Sequence, residues 1–171
     1  MAELRELGPV HHISPEAIGR PGERRFRLRA VTRGGNSASL WLEKEQLSAL
    51  GDAIETVLAS EEYRYRRSPL DDQEPAPVFP LSAEYDFPIG QLSMGLNREK
   101  ERVVLVAAEA ANPDEPGTSV SVEFDYRQAY ELRGEITRVV ASGRPPCPLC
   151  GGPLDPQGHV CPRSNGHHAP E

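Results

Sequence analysis

Two early stretches of the chain alternate apolar and polar residues. In residues 25–32 (RFRLRAVT), Phe26, Leu28 and Ala30 fall on one face of an extended chain, because the side chains of a strand point alternately to its two sides. A turn with two glycines follows, and residues 37–43 (SASLWLE) alternate again. The sequence therefore predicts a β-hairpin with one apolar face.

The period of the pattern changes after the hairpin. From Glu45 onward, apolar residues recur at every third or fourth position, at Leu47, Leu50, Ile54, Val57 and Leu58. This spacing places them in one stripe along a helix of about four turns. We expect this helix to cover the hairpin.

The second half of the chain repeats this order of patterns. Residues 102–111 and 119–126 predict two paired strands, and residues 127–142 predict an amphipathic helix. When the halves are compared at a separation of 82 positions, Leu42 aligns with Phe124 and Ile54 with Ile136. A further candidate strand precedes each pair, in residues 10–22 and 87–96.

These elements predict an α+β fold of duplicated βββα units, with an antiparallel sheet, two helices and a pseudo-twofold axis. Neither unit can bury its apolar face alone, so the two units are expected to share one sheet or to pack face to face. The predicted body spans residues 1–142, with a first unit at 9–60, a linker rich in charge and proline at 61–83, and a second unit at 84–142. Residues 1–8 are expected to be mobile.

Charge and hydropathy limit the function classes. The formal net charge of −7 argues against a protein that binds nucleic acid over its whole surface, although a local basic patch stays open. The N-terminus lacks the apolar run of a signal peptide, and no stretch is long enough to cross a bilayer. We therefore expect a cytoplasmic protein without membrane association.

All three cysteines lie in residues 147–161 (CPLCGGPLDPQGHVC). Three thiols cannot pair completely within one chain, and C-x2-C spacing supplies two zinc ligands from one tight turn. The segment is poor in apolar residues, so a metal ion would have to supply its ordering energy. We predict that Cys147, Cys150 and Cys161 bind a structural zinc ion in a C-terminal zinc-knuckle tail, residues 143–171.

The fourth ligand is not fixed by the cysteine spacing. His159 is favoured, because residues two apart in an extended segment share a face and His159 lies two residues before Cys161. His167 and His168 remain alternatives. A catalytic zinc ion with an open position is less favoured, because thiolate-rich sites are usually closed structural ones.

Residues 143–167 (GRPPCPLCGGPLDPQGHVCPRSNGH) resemble the ending of an uncharacterised, mainly actinobacterial family, domain of unknown function family 3090. Residues 25–58 resemble the N-terminal part of the same family, so the resemblance spans most of the chain. The resemblance implies that the Gly-His-x-Cys-Pro-Arg stretch recurs while the position of His167 is often tyrosine, which supports His159 as a ligand. It implies no activity.

Two basic segments are candidate binding residues. Arg25, Arg27 and Arg29 would form a row on the polar face of their strand, able to hold an acidic partner, phosphates or nucleic acid. The alternative is a solvated sheet face balanced by acidic residues opposite. Tyr63, Tyr65 and Arg66 interleave aromatic and cationic side chains, which suits stacking on bases or docking a protein, or simply marks a helix end.

No nucleophile lies in a recognisable catalytic motif. The sequence therefore favours a non-enzymatic adaptor or regulatory protein whose zinc knuckle holds the shape of a protein-interaction surface. Two alternatives stay open: a nucleic-acid or ribonucleoprotein-binding protein, and an enzyme that acts on a phosphorylated or acidic small molecule.

Overall fold

The computed structural model describes residues 3–20, 22–63, 78–142 and 149. These residues form six strands and two helices, in the order β-β-β-α followed by β-β-β-α. The first three strands and first helix are β1 (Glu3–Ile18), β2 (Arg25–Thr32), β3 (Ser37–Leu42) and α1 (Lys44–Ser60). The remaining elements are β4 (Tyr85–Asn97), β5 (Arg102–Glu109), β6 (Thr118–Asp125) and α2 (Tyr126–Ala141).

The six strands close into a barrel in the order β1-β2-β3-β4-β5-β6. Pairing is antiparallel within β1-β2-β3 and within β4-β5-β6. The predicted α+β class is therefore confirmed, but the sheet is not antiparallel throughout. The two joints that close the barrel, β3-β4 and β6-β1, are parallel. Closure pairs β3 with β4 and β6 with β1, so none of these outer strands is left with an unpaired edge.

The prediction that residues 1–8 are mobile was wrong for the part of them that the structure describes. Strand β1 begins at Glu3, and residues Glu3 to Pro9 pair in parallel with Thr118 to Glu123 of β6. The register shifts between Glu6 and Gly8, and Gly8 has a φ of +82°, a conformation that glycine adopts without steric penalty. Beyond this irregularity β1 pairs with β2. The N-terminal segment is thus ordered because it closes the barrel.

The predicted apolar faces form one core. The inward positions of the two halves match, since Leu28 pairs with Leu40 and Leu105 with Val122, all at most 2% exposed. The predicted helical stripes are also buried at Leu47, Leu50, Ile54, Leu58, Leu132 and Ile136. Val57, Val139 and Val140 pack against the core but are only partly buried. Each fully buried aliphatic side chain contributes roughly 1.5–3 kcal/mol.

The helices pack against each other and α2 packs along β1. A Cβ atom at Gly51 of α1 would lie 3.1 Å from Cγ2 of Ile136 in α2, so the helices approach closely at this glycine. Helix α2 begins with a capping box, in which the Gln128 backbone N–H donates to Asp125 Oδ1 at 2.8 Å. Gln128 Nε2 also donates to the Val10 carbonyl at 3.1 Å. This bond fixes the start of α2 against β1.

Candidate binding site

The outward face of β2 carries the predicted arginine row, Arg25, Arg27 and Arg29, while Phe26, Leu28 and Ala30 point into the core. The alternation predicted for this strand is confirmed. Arg27 pairs in register with Glu16 of β1 on one side and with Trp41 of β3 on the other. We call these five residues, Arg25, Arg27, Arg29, Glu16 and Trp41, the arginine face.

Glu16 balances two of the three arginines. Its Oε2 atom accepts a hydrogen bond from Arg27 Nε at 2.6 Å and lies 3.4 Å from Arg29 Nε. All three side chains are about one-quarter to one-third exposed, at 23% for Arg27, 27% for Arg29 and 33% for Glu16. This geometry fits the alternative of a row balanced by an opposing acid. It also orients both guanidinium groups through their Nε sides.

Trp41 contacts Arg25 at the N-terminal end of the arginine row. The guanidinium carbon of Arg25 lies 4.2 Å from the centre of the Trp41 ring, and that of Arg27 lies 5.3 Å from it. The indole Nε1–H donates to Asp86 Oδ1 of β4 at 2.8 Å. The ring is therefore fixed, and it stabilises the cation above it by about 0.5–1 kcal/mol at an exposed site. Arg25 is an exposed cation with a defined position.

A segment of the predicted linker lies against this face. Phe79 stacks on the guanidinium of Arg29, with 4.3 Å between the ring centre and the guanidinium carbon. The rings of Phe79 and His12 are 5.2 Å apart. The backbone N–H of Glu84 donates to Ser37 Oγ at 3.0 Å, which holds the far end of the segment. We call residues 79–83 the strap.

A shallow cleft lies between the strap and the sheet. Its cavity volume is about 20 Å³, far below the 300–1,000 Å³ typical of sites for drug-sized ligands. The polar side chains that line it include Arg27, Arg29, Ser39 and Asp86. Ser39 is 4% exposed. Its Oγ atom and Arg29 Nε are buried without a hydrogen-bond partner among the described residues.

The second predicted binding segment is only partly described. Tyr63 follows α1 and packs against α2, with ring centres 6.0 Å from Tyr126 and 6.4 Å from Tyr130. Tyr65 and Arg66 lie outside the described residues. Because of these ring contacts, Tyr63 lies in an aromatic contact between the end of α1 and helix α2. Burial raises the pKa of Tyr126, the nearby carboxylates of Glu61 and Glu101 raise it further, and Arg98 lowers it.

The predicted metal ligands also lie outside the described residues: Cys147, Cys150, His159 and Cys161, with the alternatives His167 and His168. Within residues 3–20, 22–63 and 78–142, no three His, Cys, Asp or Glu side chains form a group that could hold a metal ion. Zinc binding therefore stays a prediction.

The place where the tail begins is described. Arg24 Nη1 donates to both the carbonyl oxygen and Oγ of Ser142, each at 2.7 Å. Ser142 directly follows α2, and Arg24 directly precedes Arg25 of the arginine face. Ser142, the last residue before the tail, is therefore held to the residue that precedes the arginine row.

Sequence reasoning missed several residues of this site. Trp41 carried a signal, since the alternation of SASLWLE that buries Leu40 and Leu42 leaves an aromatic side chain on the outer face. Glu16 could have been found only with the register of β1 against β2. Phe79 and Asp86 reach the face through long-range packing, for which the sequence pattern holds no signal.

Comparison with known sequences identifies the family. The family model described as Protein of unknown function (DUF3090) matches residues 6–161. The chain belongs to this family. The match includes the arginine face and all four predicted zinc ligands. No curated protein matches the sequence of this DUF3090 member. Among its described residues, neither helix has the length and apolar character needed to cross a bilayer.

Proposed function

We propose that this DUF3090 member is a non-enzymatic adaptor or regulatory protein. Its α+β barrel presents the arginine face to an acidic segment of a protein partner, and its tail, residues 143–171, adds a second contact shaped by zinc. Cys147, Cys150, Cys161 and His159 hold the zinc ion, with His167 and His168 as alternatives to His159. The zinc ion is structural, as thiolate-rich sites usually are.

One observation carries the proposal: the last residue before the tail is hydrogen-bonded to the residue that precedes the arginine row. Arg24, which holds Ser142 through two hydrogen bonds of 2.7 Å, is the neighbour of Arg25. The chain therefore enters the tail from a residue that is tied to the start of β2. The fixed position of Arg25 on the indole ring lowers the entropy lost when a carboxylate pairs with it.

The charges of the face favour a protein over nucleic acid. Glu16 and Asp86 lie among the arginines, and each carboxylate would repel a row of phosphates at close range. A protein segment can place single carboxylates at Arg25 and leave Glu16 undisturbed. The small volume of the cleft likewise gives little support to an enzyme that encloses an acidic or phosphorylated small molecule.

Capture from a cytoplasmic extract, with and without nuclease treatment, tests the surface. The bait is the full chain, either wild type, Arg25→Glu or Arg102→Glu. Arg102 lies at the start of β5 as Arg25 lies at the start of β2, and it pairs with Glu123, so its reversal is the matched control. We expect a partner held by the wild type and the control to be lost with Arg25→Glu. Retention that disappears only on nuclease treatment would favour the nucleic-acid alternative.

The tail is tested separately by metal content. We expect about one equivalent of zinc in the purified full chain and less in Cys147→Ser. We also expect Cys147→Ser to weaken capture while the body unfolds at an unchanged temperature. A metal-free wild-type chain would remove the zinc from the proposal and leave the arginine face to be judged by the capture result.

A further inference from the structure

One polar atom beneath the strap has unmet hydrogen-bonding capacity. Ser39 Oγ is buried and lacks a hydrogen-bond partner among the described residues, whereas Arg29 Nε, which also lacks a hydrogen bond, lies 3.4 Å from the Glu16 carboxylate. Ser37, two residues earlier on the same face of β3, differs because its Oγ accepts the Glu84 backbone N–H at 3.0 Å. Ser37 therefore anchors the strap, whereas Ser39 has no such role. A buried polar group without a partner destabilises the state that buries it.

The arginines beside Ser39 are already oriented. Glu16 meets Arg27 and Arg29 on their Nε sides, at 2.6 and 3.4 Å. Each guanidinium carries further donors on its two terminal nitrogens, and no hydrogen bond joins those of Arg27 or Arg29 to another residue in the described part of the chain. Arg27, Arg29 and Ser39 line one cleft. They supply hydrogen-bond donors from one hydroxyl and from two guanidinium groups, whose charge Glu16 partly offsets.

We propose that Arg27, Arg29 and Ser39 form a binding site for a single oxyanion, a carboxylate or a phosphoryl group, and that the site opens when the strap lifts. The hydroxyl of Ser39 and the guanidinium groups donate to the oxygens of the ligand. Asp86 also lines the cleft, and its negative charge disfavours polyanions.

The strap lines the same cleft as Ser39, and Ser39 Oγ is buried while the strap is in place, so the strap has to move to admit a ligand. Phe79 holds the strap down through its contact with Arg29 at 4.3 Å and its ring contact with His12 at 5.2 Å. Lifting it breaks these contacts but frees Ser39 Oγ to bind water or ligand. A ligand that binds only the open arrangement gains affinity when the closed one is weakened.

This inference deepens the proposed function, since it names the chemical group that the arginine face accepts. The two can fail separately. The capture experiment depends on Arg25, whose guanidinium does not line the cleft, while the oxyanion site depends on Ser39. Loss of one result with the other intact would identify which proposal is wrong.

Trp41 offers a direct probe because it is the single tryptophan of the chain. Its indole N–H donates to Asp86, which lines the cleft. We would titrate the full-length protein with inorganic phosphate, and separately with a blocked Gly-phosphoserine-Gly peptide, and follow the indole N–H resonance. Saturation by phosphate indicates a free small anion as ligand. Saturation by the peptide alone indicates an anion carried by a partner protein.

Ser121 supplies the matched control, because it pairs with Val106 of β5 as Ser39 pairs with Arg29 of β2. A hydrogen bond to a charged group is strong enough that Ser39→Ala should weaken binding about tenfold or more. Ser121→Ala should leave binding unchanged. No saturation with either ligand, or equal weakening by both variants, would overturn the site.

Phe79→Ala tests the lifting of the strap. This variant removes the ring that holds the strap to Arg29 and His12, so we expect binding to tighten severalfold. Unchanged or weaker binding would show that the strap does not oppose the ligand.

Discussion

The two halves of the barrel are alike inside and different outside. In both, the inward positions of the central strands are aliphatic, with Leu28 and Leu105 at most 1% exposed. On the outer face, Arg27 lies between Glu16 and Trp41, whereas Val104 lies between Gly95 and Glu123. Closing the barrel requires apolar interiors in both halves. It does not require an arginine row, so that row is the better candidate for function.

The outer faces also differ in what lies on them. Arg29 is stacked by Phe79 of the strap, whereas Val106 pairs with the small residues Ser93 and Ser121. Arg102 forms a simple pair with Glu123 at 3.0 Å. Two halves with equivalent interiors thus allow each feature of the arginine face to be tested against a position in the other half.

The largest effects are expected at the interior positions, where the halves should respond alike. Leu28→Ala and Leu105→Ala each remove a side chain at most 1% exposed, and each should lower the free energy of unfolding by about 2–5 kcal/mol. Urea denaturation followed by circular dichroism measures the change. Val104→Ala, at a partly exposed outer position, is the control and should cost less. Unequal losses at Leu28 and Leu105 would break the equivalence of the interiors.

The elements of each half could be predicted because their signals are local. The period of two in RFRLRAVT gave β2 at its observed bounds, Arg25–Thr32. The change of period after the hairpin predicted a helix of about four turns from Glu45, and α1 spans Lys44–Ser60. In both cases one face is buried along the whole element, so the apolar spacing records the geometry of that element.

The closure of the barrel and the strap could not be predicted because they depend on contacts between distant parts of the chain. Glu3 pairs with Thr118 in a parallel joint, and the polar N-terminal residues show no alternation that indicates a strand. Phe79 lies in a proline-rich stretch whose composition indicates a linker, yet its ring meets Arg29. Composition describes local preference, whereas these contacts arise from the assembled sheet.

Removal of a carboxylate from the outer face should lower the stability more in the first half of the barrel than in the second. Glu16→Gln leaves Arg27 and Arg29 close together without their shared counter-charge, at sites about one-quarter exposed. We expect it to destabilise the protein by about 1–2 kcal/mol, whereas Glu123→Gln, which breaks a single partly exposed pair with Arg102, should cost less than about 1 kcal/mol. The difference should shrink in 1 M salt. Equal costs would mean that Glu16 serves the face no more than an ordinary surface acid.

The helices that complete the two halves begin with different residues, partly exposed Lys44 in α1 and buried Tyr126 in α2. The Tyr126 hydroxyl is buried without a hydrogen-bond partner among the described residues. Tyr126→Phe should therefore raise the free energy of unfolding at pH 7 by up to about 1 kcal/mol. Thermal unfolding, with the more exposed Tyr85→Phe as control, measures this gain.

The same variant should change the alkaline limb of the stability profile. Burial and the carboxylates of Glu61 and Glu101 raise the pKa of Tyr126 above its ordinary value of 10.0, so the folded state binds the phenolic proton more tightly than the unfolded state. This contribution is fully present below pH 10 and is lost as the pH rises through the folded pKa. Wild type should therefore lose more stability than Tyr126→Phe above pH 10. Parallel profiles would contradict the raised pKa.

The smallest expected changes in stability come from replacing one glycine in each helix with alanine. Nothing lies within 4 Å of a Cβ atom at Gly134 of α2, whereas a Cβ atom at Gly51 of α1 would lie 3.1 Å from Ile136 Cγ2. Alanine is favoured over glycine inside a helix by about 0.5–1 kcal/mol, so Gly134→Ala should stabilise the protein by that amount. At Gly51 the same gain is opposed by crowding against Ile136, which is 2% exposed and has little room to move. Gly134→Ala should therefore unfold at a higher temperature than wild type, and Gly51→Ala at a lower one. An equal gain in unfolding temperature for both variants would mean that the helices do not meet at Gly51.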